Sequence, residues 1–254
     1  MNLIDSHCHI NDKQFSSDLD STINRAIDNG ITHLVCIGTD IKSSEKAIQI
    51  SQKYSEVFAT CGIHPHEADK VDKNFINVLE ELAKHEKVVA IGEMGLDYYY
   101  DFSEKKNQNN VFQAQLELSK DLNLPAVIHN RDSDKDLLNI LTKLNTNYGV
   151  IHCFASDYKM AKKLLDLGLY ISFTGMVTFV RSLKEVLKKV DLHKIMIETD
   201  SPYLAPHPFR GKRNEPKNVT EVAKFIANIK NIDLNIFNKV VYENTKNFFK
   251  LPIR

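Results

Sequence analysis

The sequence predicts an α/β fold, a closed (β/α)8 TIM barrel with an extra C-terminal helix. Three observations carry this reading. Short apolar runs alternate with longer amphipathic stretches along the whole chain. Several of those runs lack a polar face, as parallel strands covered by helices do. The length of 254 residues fits one barrel domain of ~250 residues, so a single domain over 1–254 is expected. An open doubly wound sheet is the alternative. It would usually bring a glycine-rich phosphate loop after the first strand, and none follows Cys8.

Strands are expected at 3–6, 33–37, 57–62, 88–92, 125–129, 150–153, 169–173 and 195–198. Helical patterns follow at 21–29, 43–53, 74–85, 104–122, 134–144, 158–167, 183–190 and 219–229, and the extra helix at 236–249. Gly30 and Gly168 stand where a helix C-terminus favours a left-handed residue. The longest irregular stretch, 201–218, holds four of the seven prolines. It follows the last strand, where barrels often bind phosphate.

Composition narrows the function. Lys plus Arg equals Asp plus Glu at 33 each, so the chain is no polycation that grips nucleic acid along its whole surface. Any phosphate binding must come from a local patch. Cys8, Cys36, Cys61 and Cys153 each lie in or beside an apolar run, and none forms a Cys-x-x-Cys pair. Buried reduced thiols in a reducing compartment are expected. With no basic-then-apolar leader and no membrane-length run, the expected location is cytoplasmic.

The chemistry concentrates in six residues. The first strand ends in His7-Cys8-His9, and strand alternation places both imidazoles on one face. Glu93, His129, His152 and Asp200 fall at the expected ends of strands four, five, six and eight. That end of a barrel is where active sites are built. Imidazole and carboxylate together suit zinc, manganese, cobalt or nickel. Four histidines and two carboxylates exceed the needs of one ion and suit two, with the two oxygens of Glu93 able to bridge them. Asp200 can hold one ion and also take a proton from the attacking water.

Beyond these six, the chain resembles the TatD family of metal-dependent deoxyribonucleases, within the amidohydrolase-like barrels. The matching segments include Asp5-Ser6-His7-Cys8-His9, Gly62-Ile63-His64-Pro65-His66, Ile91-Gly92-Glu93-Met94-Gly95-Leu96-Asp97, Ile128-His129-Asn130-Arg131-Asp132 and His152-Cys153-Phe154. Glu198-Thr199-Asp200-Ser201-Pro202 and Arg210-Gly211-Lys212-Arg213-Asn214-Glu215-Pro216 complete the set. The resemblance implies that His7, His9 and Asp200 hold one ion and His129 and His152 the other, with Glu93 between. It separates this chain from barrel hydrolases that bridge their metals with a modified lysine. One departure is Ala155-Ser156, where the family often has a small residue and Gly. That change touches substrate fit rather than metal binding.

Around the centre, His64 and His66 flank Pro65; each is expected to contact substrate or support the site, or else to line a solvated loop, and His64 is the one assigned to substrate. Asp97 can orient a ligand. Tyr98, Tyr99 and Tyr100 can either stack on a base or cap the barrel. Arg131 and the basic loop of Arg210, Lys212 and Arg213 read as phosphate contacts, Arg210 foremost.

The resemblance implies DNA as substrate and, in some relatives, trimming from the 3′ end. The expected activity is a deoxyribonuclease, a 3′-5′ exonuclease on single-stranded DNA. A metal-activated water attacks phosphorus, Asp200 is the general base and Glu93 shares the catalytic centre. Two divalent ions are expected, magnesium, manganese or zinc, although magnesium prefers oxygen to imidazole. DNA is the expected partner of a monomer, with no membrane. Two alternatives remain: a binuclear hydrolase of a lactone, ester or amide, and a non-catalytic metal-binding scaffold.

Overall fold

The computed structural model describes residues 2–253. Its strands are β1 (Leu3–Cys8), β2 (Ile31–Cys36), β3 (Val57–Cys61), β4 (Val88–Asp97), β5 (Ala126–Arg131), β6 (Gly149–Ile151), β7 (Tyr170–Phe173) and β8 (Ile195–Ile197). They run parallel in one sheet, each beside its neighbour in sequence. The long helices are α1 (Leu19–Asp28), α2 (Ile41–Lys53), α3 (Phe75–Ala83), α4 (Lys105–Asp121), α5 (Asp134–Lys143), α6 (Tyr158–Asp166), α7 (Ser182–Lys189), α8 (Val219–Lys230) and α9 (Leu234–Phe248). The expected barrel is therefore present, with α9 as the extra helix. Among the described residues, no helix is long and apolar enough to cross a membrane.

Local chemistry explains the boundaries. Asp40 and Ser43 form a reciprocal capping box at the start of α2, and Asp157 caps α6 through the Met160 amide. Gly30 and Gly168 adopt φ of 83° and 93°, the left-handed geometry their positions suggested. One boundary differs from expectation. The apolar run suggests that β4 stops at Gly92, yet the strand continues to Asp97 through a register shift between Ile91 and Met94. Gly95 makes this possible. Its φ is 141°, and a Cβ there would meet the His129 carbonyl oxygen at 2.0 Å. Glu93 therefore sits inside a strand rather than at its end.

Two apolar layers hold the barrel. The larger lies between sheet and helices, with Leu3, Cys8, Leu34, Met94, Ile128 and Phe173 among its strand members. The smaller fills the interior with Ile4, Val35, Phe58, Val89, Val127, Val150 and Met196. Phe248, Phe249 and Leu251, at and beyond the end of α9, join this inner layer and close the N-terminal end of the barrel. Each such side chain contributes about 1.5–3 kcal/mol by leaving water. The opposite end stays open, and there polar groups replace apolar ones.

The seam between β8 and β1 builds the site. It is joined by loop amides rather than a regular ladder. The Asp200 N–H donates to the His7 carbonyl at 2.9 Å, and the His9 N–H to the Ser201 carbonyl at 2.7 Å. The Thr199 N–H donates to Asp5 Oδ1 at 2.8 Å, and Ser6 Oγ to the Ile197 carbonyl at 2.9 Å. A register shift between Asp5 and Cys8 lets Ile4 fill the barrel interior while His7 and His9 still turn toward its mouth.

Candidate metal centre and active site

Glu93 lies at the middle of the open end, 3% exposed, with its two oxygens facing different groups. Oε1 is 2.8 Å from His152 Nε2, 3.0 Å from His129 Nδ1 and 3.4 Å from His64 Nε2. Oε2 is 3.4 Å from His7 Nε2 and 3.8 Å from His9 Nε2. Asp200 Oδ1 completes the second group, 3.2 Å from His9 Nε2 and 3.6 Å from His7 Nε2. The six residues chosen from sequence thus converge, and His64, expected as a substrate contact or a supporting residue, joins them.

The donor set fits divalent cations. His7 and His9 bring Nε2 atoms within 3.1 Å of each other, and His129 Nδ1 and His152 Nε2 approach to 3.2 Å. Ligand atoms sharing one ion through bonds of ~2.0–2.1 Å stand roughly 3 Å apart. Three overlapping trios lie within 4.8 Å: His7-Glu93-His152, His7-His9-Asp200 and His64-Glu93-His129. His7 Nδ1 is buried without a hydrogen-bond partner. The polar neighbours of the ring therefore all lie at Nε2, toward His9, Glu93 and Asp200, the side on which a cation would sit.

Carboxylates stand behind the imidazoles. Asp97 Oδ2 meets His129 Nε2 at 3.1 Å and His66 Nε2 at 2.9 Å. Glu198 Oε1 lies 3.4 Å from His152 Nδ1, off hydrogen-bond alignment, and accepts the Cys153 N–H at 2.7 Å. Such carboxylates fix ring orientation and raise the basicity of a ligating nitrogen. Asp5 does related work on the backbone, accepting both the N–H and the hydroxyl of Thr199, next to Asp200. The sequence reading assigned Asp97 this part but gave none to Glu198 or Asp5. The available signal was a carboxylate inside an apolar strand-like run, Leu3-Ile4-Asp5 and Ile195-Met196-Ile197-Glu198. Two residues at the centre adopt left-handed backbone, Asp200 at φ 54° and Cys153 at φ 46°. Such geometry collects where a site dictates the chain path.

Charge in the metal-free centre is strongly coupled. Burial raises Glu93, but the surrounding imidazoles, His152 first, outweigh it and hold the carboxyl well below its usual range. Burial likewise opposes ionisation of Asp200, and the His9 hydrogen bond overcomes it, so Asp200 is lowered. Burial lowers His152, but Glu93 and Glu198 raise it well above the ordinary imidazole value. His129 is raised against burial by Asp97 and Glu93. His9 is raised against burial by Asp200. His7 is lowered, chiefly by burial and then by neighbouring His152, and burial takes His64 down to about 4.

The flanking residues divide. Tyr98 is tied down, donating to Asp136 at 2.9 Å and accepting from Asn109 at 2.8 Å, so it caps the barrel. Tyr99 and Tyr100 are exposed at the mouth, and the Arg131 guanidinium stacks 3.9 Å from the Tyr99 ring. Arg210 stacks 4.0 Å from Phe179. Arg213 takes another course from its expected place in a phosphate clamp. It pairs with Asp18 at 2.7 Å and Glu215 at 3.2 Å, anchoring the loop to α1. Two cavities meet at the centre, one of about 1120 Å³ and one of about 610 Å³. Both are lined by His129, His152, Asp200, Tyr100 and Tyr203. Arg131 lines the larger and His64 the smaller. Among the cysteines, Cys153 is half-buried in the larger cavity, while Cys8, Cys36 and Cys61 are buried free thiols.

A barrel with imidazoles and carboxylates converging at its open end has the architecture of a metal-dependent hydrolase. Comparison with known proteins gives the family. The profile for TatD-related DNases matches residues 4–250. The uncharacterized metal-dependent hydrolase YabD of Bacillus subtilis is 40% identical over 253 residues, covering 98% of this chain and 99% of that protein. The 3′-5′ ssDNA/RNA exonuclease TatD of Shigella flexneri is 32% identical over 256 residues, covering 97% of this chain and 98% of that one. The crystal structure of the TatD homologue YJJV of Escherichia coli superposes with a TM-score of 0.94 at 26% identity, covering 98% of both chains. This chain belongs to the TatD family of metal-dependent hydrolases.

Proposed function

We propose that this protein is a deoxyribonuclease that hydrolyses phosphodiester bonds, working from the 3′ end of single-stranded DNA. The observation that carries the reading is Glu93, whose oxygens each face a separate histidine-rich group. That division supports a centre for two divalent ions. His7, His9 and Asp200 would hold one, His129 and His152 the other, and Glu93 would bridge. Ions bound there would supply Lewis acidity, lowering the pKa of water and offsetting charge on phosphoryl oxygens. Imidazole donors favour zinc or manganese over magnesium. The family and the exonuclease name of the Shigella relative support DNA as substrate.

The chain's own groups have assignable work. Asp200 is held ionised by His9, so it is ready to accept a proton from an attacking water. Asp97 keeps His129 oriented through its hydrogen bond, and Glu198 places a negative charge behind His152. His64, beside Glu93, meets substrate at the smaller cavity. Arg131 and Arg210 meet phosphate oxygens.

The test is release of mononucleotides from end-labelled single strands by metal-stripped protein refilled with magnesium, manganese or zinc. Metal-restored cleavage from a free 3′ end, with little from a 5′ end, is the expected result. Two tightly bound ions without cleavage of any strand would redirect the search to lactones, esters and amides.

A further inference from the structure

The two segments that supply the Oε2 side of the centre come from strands not joined by a regular ladder. His9 follows β1 and Asp200 follows β8, and loop amides and single side chains cross between them. The 3.2 Å separation of His9 Nε2 and Asp200 Oδ1 thus depends on what holds those segments together.

Arg213 and Asn214 reach both segments from adjacent positions in the loop after β8. Arg213 grips the stretch that follows His9. Its Nη1 donates to the Gln14 carbonyl at 2.6 Å and to Asp18 Oδ1 at 2.8 Å, and its Nη2 donates to Asp18 Oδ2 at 2.7 Å. The same guanidinium stands 4.6 Å from the ring of buried Phe15. That stretch is tied back to His9. The Phe15 N–H donates to the Asp12 carbonyl at 3.1 Å, and the Asp12 N–H to the His9 carbonyl at 2.9 Å. Asn214 grips the segment that carries Asp200, with its side chain on the Thr199 and Tyr203 carbonyls and its own N–H on that of Pro202 at 3.0 Å.

The Arg213 contact belongs to a closed ion network. Arg25 of α1 meets Asp18 at 3.0 Å and Glu215 at 2.8 Å, and Glu215 lies 3.2 Å from Arg213. Two guanidinium groups and two carboxylates balance there. Asp18 stands at the N-cap of α1 but makes no side-chain capping bond, so its carboxylate is left to the arginines. Arg213 first, then Arg25, hold it below the usual carboxyl range. A single exposed ion pair holds little, but a two-pronged Arg–Asp contact within a network fixes distance and angle together.

We propose that Arg213 is a positioning residue for the Oε2 half of the metal centre: by clasping Gln14 and Asp18 it holds the segment after β1 against the loop after β8, and so sets the spacing of His9 and Asp200. Its effect on metal rests on the two-ion reading above; its effect on the chain does not.

The first test needs no metal. Amide hydrogen exchange of the metal-free protein follows the His9 and Asp200 N–H groups, which cross the seam to the Ser201 and His7 carbonyls at 2.7 and 2.9 Å. The His152 N–H, on the Ile128 carbonyl at 3.0 Å, is the control away from the seam. Arg213→Ala and Asp18→Asn should each speed exchange at the two seam amides about tenfold more than at the control. Arg213→Lys, which keeps the charge and loses the fork, should fall between Arg213→Ala and the unaltered chain. In zinc titrations of Arg213→Ala, one ion should weaken by about tenfold while the ion at His129 and His152 holds as before. Adding Arg213→Ala to manganese-loaded Asp200→Asn protein should leave the salt dependence of dT8 binding unchanged. A log–log slope lower by about 0.7 would mark a direct phosphate contact and overturn the assignment. Equal acceleration at all three amides, or none in either variant, also overturns it, whatever the metal does. An unaltered chain that takes up only one ion would end the two-ion reading and leave amide exchange to decide the clasp.

Discussion

The two sides of Glu93 are built on opposite plans. On the Oε2 side, Asp200 stands among the imidazoles, 3.2 Å from His9. On the Oε1 side the nearest groups are imidazoles alone, and the other carboxylates are set behind them, Asp97 on His129 and Glu198 beside His152. The first side leaves a carboxylate facing both cavities. The second sets its carboxylates behind the rings, Asp97 hydrogen-bonded to His129 and Glu198 as a charge beside His152. Under the proposed function, this difference would give proton transfer to the β1–β8 seam and rigid cation holding to β4, β5 and β6.

The sharpest way to break this comparison is Glu93→Gln. Removing the shared anion should empty both halves, so bound metal falls from about two ions to near none. Activity should drop by more than the ~10²–10⁴-fold ascribed to a general base alone. Metal analysis beside a cleavage assay checks both, and full retention of two ions would end the bridging argument.

Asp200→Asn should act on one half. Turnover should fall by ~10²–10⁴-fold while the ion at His129 and His152 stays bound. Loss of both ions would show that Asp200 organises the whole centre. Asp97→Asn or Glu198→Gln should be milder, costing about 10–100-fold in affinity of the Oε1-side ion or in activity. Ion-by-ion titration distinguishes these from the Asp200 variant.

Acidity should separate the halves further. His152 and His129 are raised in the metal-free chain, so protons compete with a cation for both nitrogens of the Oε1 side. On the Oε2 side only His9 is raised, and His7 is lowered. The Oε1-side ion should therefore be shed first as pH falls. For the metal-free protein the sign runs the other way at these rings. A raised imidazole stabilises the fold below its unfolded value of ~6.5, and that contribution is lost as pH rises through the raised value. Glu93 and Asp200, both lowered, contribute above the ordinary carboxyl range and lose that contribution on acidification. Metal content and thermal unfolding across pH 5–9 test both trends.

Asn214→Ala should have the smallest effect on chemistry. Its buried Nδ2 donates to the carbonyls of Thr199 at 2.9 Å and Tyr203 at 2.7 Å, holding the turn that carries Asp200. Losing those bonds should cost about 1–3 kcal/mol of stability, read as a shift in denaturant midpoint. Metal bound at the Oε1 side should be unaffected.

Much of this protein was legible before any coordinates. Alternating apolar and amphipathic segments specify eight strand–helix units, because buried parallel strands and helices with one apolar face have distinct periods. The six site residues were legible because ionisable groups at the ends of apolar runs are costly to bury without a purpose. Other features depended on tertiary structure. Whether Glu93 bridges two groups depended on the register shift and Gly95, which carry β4 five residues past the apolar run. His64 came beside Glu93 only because β3 and β4 are neighbours in the closed barrel. Arg213 and Arg210 are three residues apart in one basic loop, yet Asp18 and Glu215 claim the first while the second stacks on Phe179, a ring of the larger cavity's wall. Sequence alone determined which chemistry this chain carries, because residue type and period are local. Only the fold decided which groups converge on Glu93, stand behind a ring or line a cavity, because those relations join residues far apart along the chain.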